Sequence, residues 1–326
     1  MTGHTASPLA AERFSYLAPA QQDAQLVRDG AIFRRSMVKA RDGRRLAVFE
    51  AGDRTHPTVL LVNALGMSVL FLAALARYLA PVRHVVTWES RGLPDASNTD
   101  LNDDLAIVRH AEDAADVLAS TGREAEAVVS YCSGANVATY ALTHDLLSTS
   151  KLCIVSPSVE LPTAHGQTDY QRTMLPIWRA IAASGLRQAT LVHYLLRDSQ
   201  LSRLHGPDAE LHELNNLPFL SPESTYLYAR IQAACLEPTS LDRLSSLKAA
   251  TLVIHCNDDD LIHADTARGL AAAIDGSRYA QLNDVGHFGI YTSNALHRLV
   301  ADFALGNRIA AGRPALQNGA QPVLDR

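Results

Sequence analysis

Short apolar runs alternate with longer stretches whose apolar positions recur every three or four residues. The first two runs, SMVKA and RLAVFEA, flank Asp42-Gly43, a dipeptide suited to the turn between antiparallel strands. TVLLV at 58–62 is a short run of apolar and β-branched residues of the sort found in a strand buried on both faces of a sheet, and HVVTW at 84–88 is another strand. A helical pattern lies between them, from Val69 to Leu79. From Asp100 to Ser120, the residues Leu101, Leu105, Val108, Ala111 and Ala115 fall at three- and four-residue intervals, which predicts a helix with one apolar stripe. The strand AEAVVS (125–130), the helical ANVATYALTHDLL, and the strands KLCIVSP (151–157) and ATLVIHC (250–256) continue the series. A helix over Thr266–Ile274, a strand over Tyr279–Leu282 and a helix over Asn294–Phe303 close it.

Strand and helix in regular alternation imply right-handed crossovers and a mostly parallel sheet with helices on both faces. Residues 160–240 break the rhythm. They carry Leu, Tyr and Arg at helical spacing and no buried strand, which predicts a helical cap inserted above the carboxyl edge of the sheet, where ligands of such folds bind. The chain therefore divides into a loosely helical leader (1–33), a core (34–159 and 241–305), the cap (160–240) and a frayed tail (306–326).

A length of 326 residues fits one catalytic core with an insertion, and 47% hydrophobic against 19% charged residues is enough for a large buried interior. The net charge of -5 offers no basic footprint, so neither nucleic acid nor an anionic membrane surface is an expected partner. The N-terminal residues lack a basic stretch followed by an apolar run, so no secretory signal is expected. The most apolar segment, Val69–Leu79, is too short to cross a bilayer and contains Arg77. Four widely spaced cysteines at 132, 153, 235 and 256 suit neither a disulfide framework nor a zinc site, and a reducing cytoplasm is the expected compartment.

The stretch VVSYCSGANVA (128–138) joins a strand to a helix through small residues. A turn that exposes a nucleophile there needs small side chains two positions before and after it. Ser130 and Gly134 meet that need around Cys132; centring on Ser133 would place Tyr131 and Ala135 there, and centring on Ser130 would place Val128 and Cys132. Cys132 then sits at a helix N-terminus, whose partial positive charge favours a thiolate. Cys153, inside an apolar run, reads as core. Two further residues complete a set: His287 in DVGHFGIYTS, after the last core strand, and Asp259 in VIHCNDDDLIH, past the preceding one, with Asp258 and Asp260 open as alternatives. A metal held by His255, Cys256 and the aspartates is disfavoured, because adjacent strand residues point to opposite faces.

With these residues in place, the sequence resembles the α/β-hydrolase fold over roughly residues 36–304: a nucleophile, an acid and a histidine follow in the family's order. The resemblance implies Cys132 as nucleophile, Asp259 as acid and His287 as base, with an oxyanion hole from the backbone amides of Ser133 and Leu65. The loop VNALGMS has Asn63-Ala64 where many members have His-Gly, so the position of Leu65 carries over without the residue type. TWESRGLPDAS (87–97) resembles the segment after the fourth strand, with Glu89 where Asp is commoner; a turn and a catalytic role are both open for it.

Cysteine in place of serine changes the thermodynamics. A serine intermediate is an oxygen ester, from which return of the acyl group to a thiol is uphill, whereas a cysteine intermediate is a thioester of nearly the same free energy as its thiol partners. The SYCSG elbow and the ALG loop are similar to those of transferases in nonribosomal peptide and polyketide pathways that shuttle aminoacyl or acyl groups between carrier proteins. That resemblance implies acyl or peptidyl carrier proteins as partners and phosphopantetheine, on a carrier or as coenzyme A, presented by the substrate, with no resident cofactor and no metal. Polyhydroxyalkanoate synthases and dienelactone hydrolases also use cysteine on this fold; the former match nowhere else here and the latter typically lack so long a cap. Hydrolysis of thioesters, esters or lactones by the same residues is the alternative, and a noncatalytic binding protein on this fold is a third. The cap aromatics Trp178, Tyr194, Phe219, Tyr226 and Tyr228 are the candidates to line a channel for the substrate, or to form ordinary core.

Overall fold

The computed structural model describes residues 33–93, 100–201, 211, 214–237, 239–306 and 316–318. Among them, nine strands make one sheet: β1 (Arg34–Lys39), β2 (Arg45–Ala51), β3 (Thr58–Val62), β4 (His84–Trp88), β5 (Ala125–Tyr131), β6 (Lys151–Val155), β7 (Ala250–Asp258), β8 (Arg278–Gly286) and β9 (Leu316–Asn318). Their spatial order is β1-β2-β4-β3-β5-β6-β7-β8-β9, with β3 to β8 parallel and β1, β2 and β9 antiparallel to their neighbours. The turn between β1 and β2 passes through Gly43 at φ 91°, a left-handed conformation that glycine adopts without steric cost.

Strand alternation sorts the core onto two faces. On β3, Val59 and Leu61 join one apolar cluster with α1 (Ala73–Leu79) and α10 (Asn294–Leu305), while Leu60 and Val62 join another with α2 (Ile107–Ser120) and α3 (Gly134–Thr143). Because both faces of β3 are covered, all five of its residues are buried, and its unbroken apolar run follows from that. Between β6 and β7 the chain leaves the sheet to form α4 (Asp169–Ser184), α5 (Leu186–Leu201) and α6 (Pro222–Cys235), the inserted cap, with a small core of its own around Trp178, Ile181, Ala189 and Ala229. Further helices are α7 (Leu241–Ser245), α8 (Ala264–Ala273) and α9 (Gly289–Thr292).

Three local expectations change. The helix predicted over 100–120 starts only at Ile107, because Asp100 and Asp104 accept the amides of Asn102 and Ala106 (2.8 and 3.1 Å) in local turns that compete with helix, and Arg230 of the cap holds the carbonyls of Leu101 and Asp103 at 2.6 Å each. The pattern over 69–79 divides into a 3-10 turn (Val69–Leu72) and α1. Within the tail expected to fray, Leu316–Asn318 pairs with β8 and covers backbone groups that the edge of the sheet would otherwise leave open. Gly306, at φ 72°, caps α10; residues 307–315 and 319–326 of that tail and all of the leader except Phe33, which is buried against Phe49, lie outside the described residues.

The segment after β4 is a structural turn as far as it is described. Arg91 is 5% exposed and holds the fully buried Asp113 of α2 through two bonds (2.6 and 2.5 Å) and Asp42 through a third (2.6 Å). Removing one partner of a buried ion pair leaves an uncompensated charge. Arg91→Ala is expected to lower unfolding stability by about 3–5 kcal/mol, read from urea denaturation.

Candidate active site

Cys132 stands between β5 and α3 with φ 51°, the left-handed region that side-chain-bearing residues rarely occupy. Its neighbours impose this geometry. The Cys132 amide donates to the Val155 carbonyl on β6 (3.0 Å), and its own carbonyl accepts from the amides of Ala135 and Ser158 (3.1 Å each). A Cβ at Gly134 would lie 2.5 Å from the carbonyl oxygens of both Val62 and Asn63, so α3 approaches the end of β3 only because residue 134 is glycine. Ser130, the small residue on the other side, is fully buried.

His287 follows directly on β8, and its Nδ1 meets Asp259 Oδ2 at 2.8 Å. The other carboxylate oxygen accepts the amides of Leu261 and Ile262 (3.0 and 2.8 Å), which fixes the acid's orientation. Of the three consecutive aspartates, Asp259 meets the histidine; Asp258 and Asp260 are exposed. The imidazole and the Cys132 sulfur border the same cavity. Tyr131, one residue before the cysteine, donates its hydroxyl to the His287 carbonyl (3.2 Å) and ties the histidine loop to the elbow.

The loop after β3 differs from expectation. The Leu65 amide is engaged: its N–H donates to Ser133 Oγ at 2.9 Å, and the Gly66 N–H donates to Ser90 Oγ at the same distance. The Ser133 amide has no acceptor among the described residues, as a free oxyanion donor requires.

A cavity of about 520 Å³ opens over Cys132 beneath the cap, bounded by Ser133, His287, Phe71, Tyr170, Met174 and Tyr228 among others. Trp178 and Phe219 also border it, stacked on each other with centroids 5.7 Å apart. Tyr194 and Tyr226 do not. Tyr194 is 55% exposed on the outer side of α5, and Tyr226 sits two residues from Tyr228, so the helix turns it away to lie under the Arg230 guanidinium (5.7 Å). Sequence reading missed Tyr170 and Met174, although 170, 174 and 178 lie at four-residue spacing and share one face of α4. That face is aimed by the start of the helix: Thr168 Oγ1 donates to the Leu261 carbonyl (3.1 Å), and Gln171 Oε1 accepts the His263 amide (3.2 Å), which pins the cap to the loop carrying Asp259.

The sequence model of the alpha/beta hydrolase family matches residues 59–302. The chain belongs to the alpha/beta hydrolase family. Solved structures with this fold include a membrane phospholipase A described as a bacterial virulence factor (17% identity, 93% of this chain and 96% of that chain, TM-score 0.69). An enol-lactonase from Burkholderia xenovorans LB400 (19%, 83% and 100%, TM-score 0.61) and an esterase from Rhodococcus sp. ECU1013 (18%, 84% and 98%, TM-score 0.60) are also similar in fold. No curated protein sequence matches the chain. Among the described residues of this alpha/beta hydrolase no helix is long and apolar enough to cross a membrane, and no group of three His, Cys, Asp or Glu side chains is placed to hold a metal ion.

Electrostatics separate the cysteines and define the histidine. Burial pushes the Cys153 and Cys235 thiols far up and the Cys256 thiol up to about 12, so none of these three is a thiolate at neutral pH, and Cys132 alone borders the cavity. Burial drives His287 toward the neutral form, but Asp259 and the Cys132 sulfur oppose this and raise it to about 10. Burial also pushes the Asp259 carboxyl up, and the charge and hydrogen bond of His287 more than offset it, leaving it below its ordinary value. The histidine thus holds a proton at neutral pH. Because its folded value lies above the unfolded one of 6.5, its contribution to stability is complete below about pH 6.5 and disappears as pH rises through 10. The His287 imidazole is expected to titrate near pH 10 by NMR, and Asp259→Asn to lower that value and to cost stability at pH 6 but progressively less toward pH 10.

Proposed function

We propose that the protein moves an acyl or aminoacyl group between thiols through a thioester on Cys132, the donor and acceptor being phosphopantetheine arms of carrier proteins or of coenzyme A. One observation carries this reading: the left-handed position of a strand-to-helix elbow is occupied by a half-buried cysteine that borders the cavity together with a histidine oriented by a buried carboxylate. The Cys132 sulfur attacks the donor carbonyl, whose π electrons move onto its oxygen; the oxyanion then collapses, the donor C–S bond breaks, and His287 gives its proton to the departing thiolate. The raised proton affinity of His287 suits that role. In the second half an incoming thiol yields its proton to His287, attacks the Cys132 thioester and displaces the cysteine sulfur. Asp259 holds the imidazole with Nδ1 toward the carboxylate throughout.

The cavity supports an uncharged or ammonium-bearing acyl group. Its described border carries no Lys or Arg, His287 is its one cationic group, and burial keeps the phenols of Tyr170 and Tyr228 un-ionised. Family membership and the esterase and lactonase of similar fold favour a second reading, in which water takes the acyl group from Cys132.

The two readings differ in where the acyl group goes. Wild-type protein mixed with labelled acyl- or aminoacyl-carrier protein and an unloaded acceptor carrier is expected to place more label on the acceptor than in free acid, followed by intact mass. Cys132→Ala is expected to do neither. Cys132→Ser is expected to transfer far more slowly and to divert most of its turnover to water, because its intermediate is an oxygen ester lying below the thioester. Release of free acid alone by the wild type from every carrier, with simple esters cleaved faster than thioesters, would establish the hydrolytic reading instead.

A further inference from the structure

The engaged Leu65 amide leaves the oxyanion hole one donor short if amides alone are counted. We infer that the Ser133 hydroxyl is the second donor to the oxyanion, with the Leu65 amide supporting it from behind; the inference rests on the acyl-transfer reading of Cys132. Ser133 Oγ accepts the Leu65 N–H at 2.9 Å, which consumes a lone pair and leaves the hydroxyl proton free to point elsewhere. No described residue accepts that proton. Ser133 is 2% exposed and borders the cavity together with Cys132 and His287, so the acceptor its position serves is an atom bound over the cysteine.

The arrangement is also selective for the transition state. When the Cys132 sulfur bonds to the carbonyl carbon and the π pair moves onto oxygen, the Ser133 N–H and Oγ–H both face the new charge, and Leu65 N–H···Oγ–H···O⁻ forms a chain in which each bond polarises the next. No proton is transferred along it. The hydroxyl turns about its own C–O bond, so the second donor is supplied without movement of the 63–68 loop. Asn136 fixes the serine backbone by donating Nδ2–H to the Ser133 carbonyl (3.2 Å) and to that of Ser158 (2.7 Å), which keeps Oγ in register with the elbow.

The test compares two reactions of the same sulfur. Acylation by acetyl and octanoyl thioesters of N-acetylcysteamine passes through an oxyanion; alkylation by iodoacetamide expels iodide and forms none. Ser133→Ala is expected to slow acylation of Cys132 by about 100-fold while alkylation proceeds at the wild-type rate, and Ser133→Thr, which keeps the hydroxyl, is expected to recover most of the loss. Acylation of Ser133→Ala at the wild-type rate or faster would mean that the Leu65 amide is the true donor and the hydroxyl merely covers it, and would overturn the proposal. A parallel fall in both reactions would reduce Ser133 to a structural role and overturn it equally, as would a Ser133→Thr variant that alkylates normally but acylates as slowly as Ser133→Ala. A wild type that neither thioester acylates would bring down the acyl-transfer reading itself, and this proposal with it.

Discussion

Everything at this site depends on how closely α3 packs against the end of β3. With glycine at 134, the first turn of the helix sits where any larger residue would press a Cβ to 2.5 Å from two carbonyl oxygens. That contact forces the chain to reverse within Cys132 and Ser133, puts Cys132 at φ 51°, and lifts its sulfur out of the sheet toward the cap. It also brings Ser133 onto the β3 loop, where its hydroxyl receives the Leu65 amide. The strain of the left-handed cysteine, of order 1–3 kcal/mol, persists because the bonds to Val155, Ala135 and Ser158 leave no alternative path.

The second half of the site is assembled by the carboxyl ends of β7 and β8. A register shift between Cys256 and Asp258 lets Asp258 pair with Gly286, so that the first residue beyond each strand, Asp259 and His287, emerges beside its counterpart. The cap is tied to this same loop through Thr168 and Gln171. Elbow, acid loop and cap are thus one connected construction, and the side chains that bound the cavity are set by where α4 begins.

The buried strands are legible because TVLLV, HVVTW and KLCIV are covered on both faces, which leaves runs dominated by apolar residues with no alternation of polar positions. The elbow was legible because close packing admits only small residues at 130 and 134. Other features depend on geometry that no local pattern encodes. Which of three aspartates meets His287 follows from the shift on β7; which cap tyrosine faces the cavity follows from helix phase, and so Tyr228 borders it while Tyr226 does not. Loop position alone points to the Leu65 amide as an oxyanion donor, whereas its partner in the fold is set by the orientation of the Ser133 side chain. The strand at Leu316–Asn318 has no apolar alternation to announce it and exists because the β8 edge is there to be paired.

The central claim is that Cys132 itself carries the acyl group. The most direct measurement is peptide mapping of protein quenched in acid within seconds of mixing with a labelled acyl thioester. The account predicts one acyl mass, on the peptide containing Cys132, removed by neutral hydroxylamine and absent from Cys153, Cys235 and Cys256. Turnover of the thioester with no acyl group on Cys132 at any time, or with the label on another residue, would contradict it.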